Sequence, residues 1–216
     1  MTQSFHKDTF DRIPDEKRTR ILEIAIAEFA NKGFDNANIN DIAQIAGISV
    51  GSLYKYFDSK ENFFLTCIRF GQETLENVLT DALESKDDIL DKAEKIVRMI
   101  QIHSRQNKDL IRLYNEITSE SNSVLVKKLS RDLEVISAHA YSTLIQKAKD
   151  VGDIREDVDP KLYAFFTDSL FMMLQFSYSC EYYQERFKIY AGDDIFDRDE
   201  AVIAQFMSFL KAAFKK

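Results

Sequence analysis

The chain has little of what turns or staples a polypeptide. Its 216 residues include six Gly, two Pro, two Cys and no Trp. Gly and Pro together come to about 4% of the chain, against roughly 12% in average usage. Sandwiches, barrels and repeat-turn folds need many turn residues, so an all-β architecture is excluded. An all-α chain with few, short connections remains. With 45% hydrophobic and 30% charged residues, the balance is globular and not that of a disordered segment. The length suits one large or two small domains.

Cys67 and Cys180 stand too far apart in sequence for a metal-ligand or redox motif, and two cysteines make no disulfide framework. They read as small apolar side chains in a reducing compartment. Met1–Arg12 is polar and charged, unlike a secretory leader. The longest uncharged, apolar-rich run, Ser169–Cys180, falls well short of the roughly 20 residues that span a bilayer. A soluble, cytoplasmic protein is expected, with no membrane partner, no metal and no cofactor. Its net charge of −7 argues against nucleic acid only on average, because binding depends on the local footprint.

Helical signals run from end to end. A first helix is expected from Pro14 or Asp15, with Ile21, Leu22, Ala25 and Phe29 on one face and Gly33 as its stop. Asn38 with Asp41 resembles a capping box opening a second, short helix that ends at Gly47. Ser49 should cap a third helix through Tyr56, and Ser59 a fourth that runs to about Glu84. Longer helices are predicted at about 87–106, 108–119, 123–151, 161–191 and 199–214. The total is about nine. We divide the chain into an N-terminal three-helix domain, 1–62, and a helical bundle, 63–216.

Asn38–Phe57 reads NINDIAQIAGISVGSLYKYF. Two helices of about two turns meet at Ala46-Gly47-Ile48, with Ile42, Ala43, Ala46, Ile48 and Leu53 facing inward across the corner. This is the helix-turn-helix pattern, whose second helix enters the DNA major groove. The run DIAQIAGISVGSLYKYFDSKENFF closely resembles the signature of the TetR (tetracycline-repressor) family of transcriptional regulators. The preceding helix agrees in Arg20-Ile21-Leu22, Ala25, Phe29 and Lys32-Gly33-Phe34. The resemblance covers about residues 15–65, and the rest matches only as a long-helix bundle of suitable length. Asn38 stands where the family usually has Thr, and Asn40 where a basic residue is common.

Ser49, Val50, Gly51 and Ser52 form the turn that reaches base edges: hydroxyls to donate or accept, a valine for a thymine methyl, a glycine for close backbone approach. Tyr54, Lys55, Tyr56 and Lys60 offer phosphate donors, a role the resemblance implies for Tyr56 and Lys60 in particular. With Asn38 and Asn40 these ten are the candidate DNA-binding residues. The first 62 residues carry eight Lys/Arg against ten Asp/Glu, so few phosphate contacts and a shallow salt dependence are expected.

The resemblance also implies a homodimer on a palindromic operator and a small-molecule effector inside the bundle. Phe166, Leu170, Leu174, Phe206, Leu210 and Phe214 are the candidate dimer residues, on helices apolar over more than one stripe. Candidate effector contacts are Cys67, Phe70, Met99, His103, Tyr114, Ile136, His139, Tyr163, Met173 and Tyr178, which combine adaptable Met with aromatic and polar handles. Asp168 is either a surface residue or a pocket anchor. The expected protein is a repressor released from its operator by a small, largely apolar molecule. The competing reading is a helical interaction adaptor that has lost DNA binding. Nothing in the spacing of Ser, Cys, His or Gly suggests an enzyme.

Overall fold

Polar side chains in extended backbone start several helices where the sequence suggests. Ser49, Asp88 and Asp159 each accept hydrogen bonds from first-turn N–H groups. The result, in a computed structural model, is eleven α-helices and one 3-10 turn, with no strand among the described residues, which are 4–84, 87–118 and 123–215. The order is α1 Asp8–Asp11, α2 Asp15–Asn36, α3 Ile39–Ala46, α4 Val50–Tyr56, α5 Lys60–Glu84, α6 Ile89–Gln106, α7 Lys108–Thr118, α8 Ser123–Asp150, α9 Pro160–Ser179, α10 Glu181–Ala191 and α11 Asp199–Phe214.

Eleven helices replace the expected nine for two reasons. The polar segment before Pro14 contains the one-turn α1, built around the buried Phe10. The predicted helix over 161–191 breaks at Cys180, in extended backbone at φ −107°. No Gly or Pro marks that break; hydrogen bonds from elsewhere hold it. The Arg112 Nε–H donates to Ser179 O at 3.2 Å, Gln184 Nε2 to Tyr178 O at 3.0 Å, and the Ser179 hydroxyl to Ser104 O at 2.7 Å. Gly33 does interrupt α2, at φ +71°. One further turn follows it, closed by Ala37 N–H on Gly33 O at 3.1 Å.

Two large apolar cores result. The first joins Phe10, Ile21, Phe29, Ile42, Leu53, Phe57 and Phe63 to Leu113 and Ile117 of α7. The head's core therefore does not stop at residue 62. It runs through Ile68 and is closed by a helix that arrives some fifty residues later in the chain. The second core packs α6, α8, α9 and α11. The opposite face of α7 meets α9, through Ile111 with Phe176 and Cys180 and through the Tyr114 and Phe176 rings at 5.8 Å. Helix α7 is thus held between the head's core and α9. At the far side, Arg105 of α6 binds Asp199 with two bonds of 2.6 and 2.7 Å and lies 4.4 Å over the Tyr178 ring, fixing the start of α11.

Leu113 is fully buried in the head's core. Leu113→Ala should cost about 2–5 kcal/mol in urea denaturation, as a buried leucine truncation does. It should also loosen amide-exchange protection in α2, although the substitution lies outside the first 62 residues. Unchanged protection in α2 would contradict the shared core.

Candidate nucleic-acid interface

The α3–α4 corner is set by Gly47, in left-handed backbone at φ +69° and ψ +34°, where a residue with a Cβ is strained. Its N–H and that of Ile48 return to Gln44 O and Ala43 O, closing α3. The Asn38 side chain accepts from Asn40 N–H at 2.9 Å. The expected capping box is not reciprocal, and this corrects the sequence reading. Glu28 of α2, not Asp41, accepts from Asn38 N–H at 3.0 Å. Asp41 instead takes the Asn38 amide and Lys32, at 3.1 and 3.2 Å. A carboxylate from a neighbouring helix reached the site that local spacing assigned to Asp41.

At the start of α4, Ser49 Oγ accepts from Ser52 N–H at 3.1 Å and lies 2.9 Å from the Ser52 hydroxyl. Ser49 and Gly51 are exposed, Ser52 and Val50 half-buried, and Val50 leans on the head's core. A Cβ on Gly51 would meet only Ser49 Oγ, at 3.8 Å, an ordinary contact. Nothing inside the chain requires glycine there. Tyr54 and Lys55 are exposed, and Lys55 has no ion-pair partner among the described residues. Tyr56 is half-buried, its ring 5.5 Å from Phe10. The Lys60 ammonium donates to Asp35 O at 3.0 Å and lies 5.2 Å over the Phe34 ring.

Much of the head's positive charge is spent internally. Lys7 pairs with Asp58, Arg18 with Asp11 and Asp15, and Lys32 with Glu28 and Asp41. Sequence reasoning missed Lys7, Thr9 and Phe10, which contact α4. The hint was a pair of aromatics, Phe5 and Phe10, in an otherwise polar run ahead of Pro14.

Comparison with known proteins bears on this corner. The family of bacterial regulatory proteins, tetR family, matches residues 21–67, from the core of α2 into α5. The likeness to that family covers these residues, about a fifth of the chain. Similar proteins include the HTH-type transcriptional repressor KstR2 of Rhodococcus jostii, 50% identical over 46 residues, or 21% of this chain and 22% of that protein. The chain thus spans about a fifth of that curated relative's length. The whole fold is shared with a TetR family transcriptional regulator of Chloroflexus aurantiacus, at 21% identity and TM-score 0.68, over 98% of this chain and 99% of that one. It is also shared with FadR of Bacillus subtilis in complex with stearoyl-CoA, at 16% identity and TM-score 0.71, over 88% and 97%.

The bundle does not gather the ten candidate effector residues at one place. Cys67 and Phe70 belong to the head's core, where burial pushes the Cys67 thiol far up. Met99, Tyr163 and Tyr178 pack in the bundle core, and Tyr114 stands between the two. His139 and Met173 are exposed, and the side chain of Ile136 lies outside the described residues. His103 is half-buried; burial lowers its pKa, and its Nδ1 has no hydrogen-bond partner. One cavity lies between α6, α8, α9 and α11, walled by Ile89, Ala93, Ile96, Tyr141, Leu144, Ile145, Thr167, Phe171 and Phe214. None of the ten lines it.

The dimer candidates also need correction. Leu174, Leu210 and Phe214 are buried inside this chain, so they have no surface to offer a second copy. Leu170 and Phe206 are half-buried. Beside Phe166, the apolar side chains that α9 and α11 do expose are Leu162, Phe165, Met173 and Phe209. Periodicity did not give the outward faces of α9 and α11, because both carry apolar residues all round.

Asp168 is half-buried. Burial, with the charge of Glu134 adding to it, pushes its carboxyl up to about 6. It lies electrically close to Tyr114 and Tyr141, and the Tyr114 hydroxyl donates to Glu134 at 2.8 Å. A carboxyl that binds its proton more tightly when folded loses stability as pH rises between about 4 and 6. Asp168→Asn should therefore stabilise the protein at pH 7 by about 1–2 kcal/mol and change little at pH 4. Urea denaturation at both values checks this; an equal effect at the two would refute it.

Proposed function

We propose that this chain is a homodimeric, DNA-reading transcriptional regulator, most simply a repressor whose operator affinity is set by a small apolar molecule held in the bundle. The observation that carries the reading is the N-terminal turn of α4. A capped, exposed Ser49–Ser52 turn includes a glycine that no intrachain contact demands. Glycine in a helix costs stability, roughly 0.5–1 kcal/mol against Ala. A DNA backbone or base edge that comes too close for a methyl supplies the reason. Ser49, Val50, Gly51 and Ser52 read bases, while Tyr54, Lys55, Tyr56 and Lys60 position the helix on phosphates.

A two-turn helix reads too few base pairs alone, so two copies act together, their recognition helices about 34–36 Å apart. Leu162, Phe165, Phe166, Met173 and Phe209 are the exposed apolar side chains from which that pairing is built. For the effector's apolar part we take the cavity between α6, α8, α9 and α11, whose volume of about 20 Å³ holds little more than a water, so the helices must part to admit it. Two solved relatives by fold carry acyl thioesters, stearoyl-CoA in FadR and isovaleryl coenzyme A in AibR, the latter with operator DNA. An effector with an acyl or similar apolar part matches the chemistry of these walls once the cavity widens. It switches the protein only through unequal affinity for the DNA-bound and free states.

The test is enrichment of duplexes from a randomised library by the purified chain, followed by titration at several salt concentrations. Specific binding by a dimer is expected; no enrichment at low salt would refute the reading. Gly51→Ala should keep or raise thermal stability yet weaken the enriched duplex at least tenfold, about 1.4 kcal/mol. Phe165→Glu with Phe209→Glu should yield a folded monomer in sedimentation, with operator binding lost.

A further inference from the structure

Recognition helix α4 has only seven residues, so its last four carbonyls have no partner inside it. Leu53 O accepts from Phe57 N–H at 2.8 Å. The other three are taken by a segment nearly fifty residues earlier. The Lys7 ammonium donates to Tyr54 O at 3.1 Å, the Thr9 hydroxyl to Lys55 O at 2.5 Å, and the Lys7 backbone N–H to Tyr56 O at 2.8 Å. Every terminal carbonyl of α4 is thereby satisfied. Lys7 also pairs with Asp58 at 2.6 Å, just past the helix. Its positive charge sits where the partial negative charge of the helix end accumulates.

Apolar contact fixes the same segment. Phe10 is 2% exposed, its ring 5.5 Å from Tyr56 and 4.8 Å from Phe57. His6 covers it from outside, with ring centres 5.3 Å apart, and binds Asp11 at 2.9 Å. A four-residue helix has no stability of its own. Its Thr9 hydroxyl and its one buried side chain, Phe10, are directed at the end of α4, while Asp11 pairs with His6 and Arg18.

We infer that Lys7–Phe10 is a clamp on the C-terminal end of the recognition helix and a positioning element of DNA reading. Lys7 and Thr9 hold the Tyr54–Tyr56 backbone at a fixed angle to the head. The phosphate donors at that end then keep register with the base-reading turn at the other. The inference rests on the DNA-reading function proposed above. The Lys7 ammonium is engaged by Tyr54 O and Asp58, so its role differs from that of a free phosphate ligand such as Lys55.

The test uses the full chain carrying Thr9→Val, Lys7→Met, or both, with Phe10 kept so that the head folds. Two measurements are made: amide exchange of residues 53–57 without DNA, and affinity for a library-enriched duplex against an unrelated one across salt. The clamp predicts faster exchange at the end of α4 with α3 unchanged. It predicts a loss of specific affinity of about fivefold per hydrogen bond removed, with non-specific affinity and salt slope unaltered. Unchanged exchange and unchanged discrimination in the double variant overturn the clamp alone. So does a silent Thr9→Val beside a Lys7→Met that lowers the salt slope by about one, which makes Lys7 a phosphate contact. A wild type that binds no duplex overturns the regulator reading itself.

Discussion

A helix of seven residues is not stable in water unless something else holds it. That constraint organises the N-terminal half of this protein. Ser49 caps α4 at its start, Lys7 and Thr9 close it at its end, and Leu53 roots it in the core that also holds Phe57 and Ile42. Gly47 sets its angle to α3. The exposed side chains of α4 are thereby freed from structural duty. A surface with Ser49, Gly51, Tyr54 and Lys55 on a rigid two-turn helix is one that can read a duplex without reorganising first.

The same core offers a route by which the proposed effector signal would reach the DNA-reading helix. Leu113 and Ile117 complete the head from α7, while Ile111 and Tyr114 of that helix rest on α9. Glu116 of α7 also reaches the Gly33 kink, where a Cβ would come within 3.1 Å of its carboxylate. Gly71 of α5 leaves no room either, since a Cβ there would overlap Leu110 of α7 at 2.2 Å. The head is therefore seated on α7 at least as firmly as it is strung from α5. On the proposed switch, a shift of α9 transmitted through Phe176 would move the base of the head, since closely packed cores pass on such shifts in discrete steps.

The helical class, the corner at Gly47 and the capping serine were legible in the sequence because each depends on neighbours within a turn or two. The corner lies within residues 21–67, the stretch that matches the tetR family. What was not legible depends on distant partners. The return bond to Asn38 comes from Glu28, the break at Cys180 is held by Arg112 and Ser104, and α1 exists for the carbonyls of α4. The outward faces of α9 and α11 were obscured for another reason. With Phe and Leu on nearly every side, periodicity carries no direction, so Leu174, Leu210 and Phe214 read like Phe165 and Phe209 until burial separates them. The effector candidates are scattered for a similar reason. Aromatic and Met residues suit a pocket and a core equally, and most of those chosen belong to the cores.

The central claim is that two copies of α4 enter one face of a duplex together. Hydroxyl-radical footprinting of the chain on a library-enriched duplex tests it most directly. The account predicts two protected patches per strand related by a two-fold axis, with their centres about one helical turn, roughly 34–36 Å, apart. A single patch without symmetry, or a duplex cleaved as evenly as free DNA at saturating protein, would contradict it.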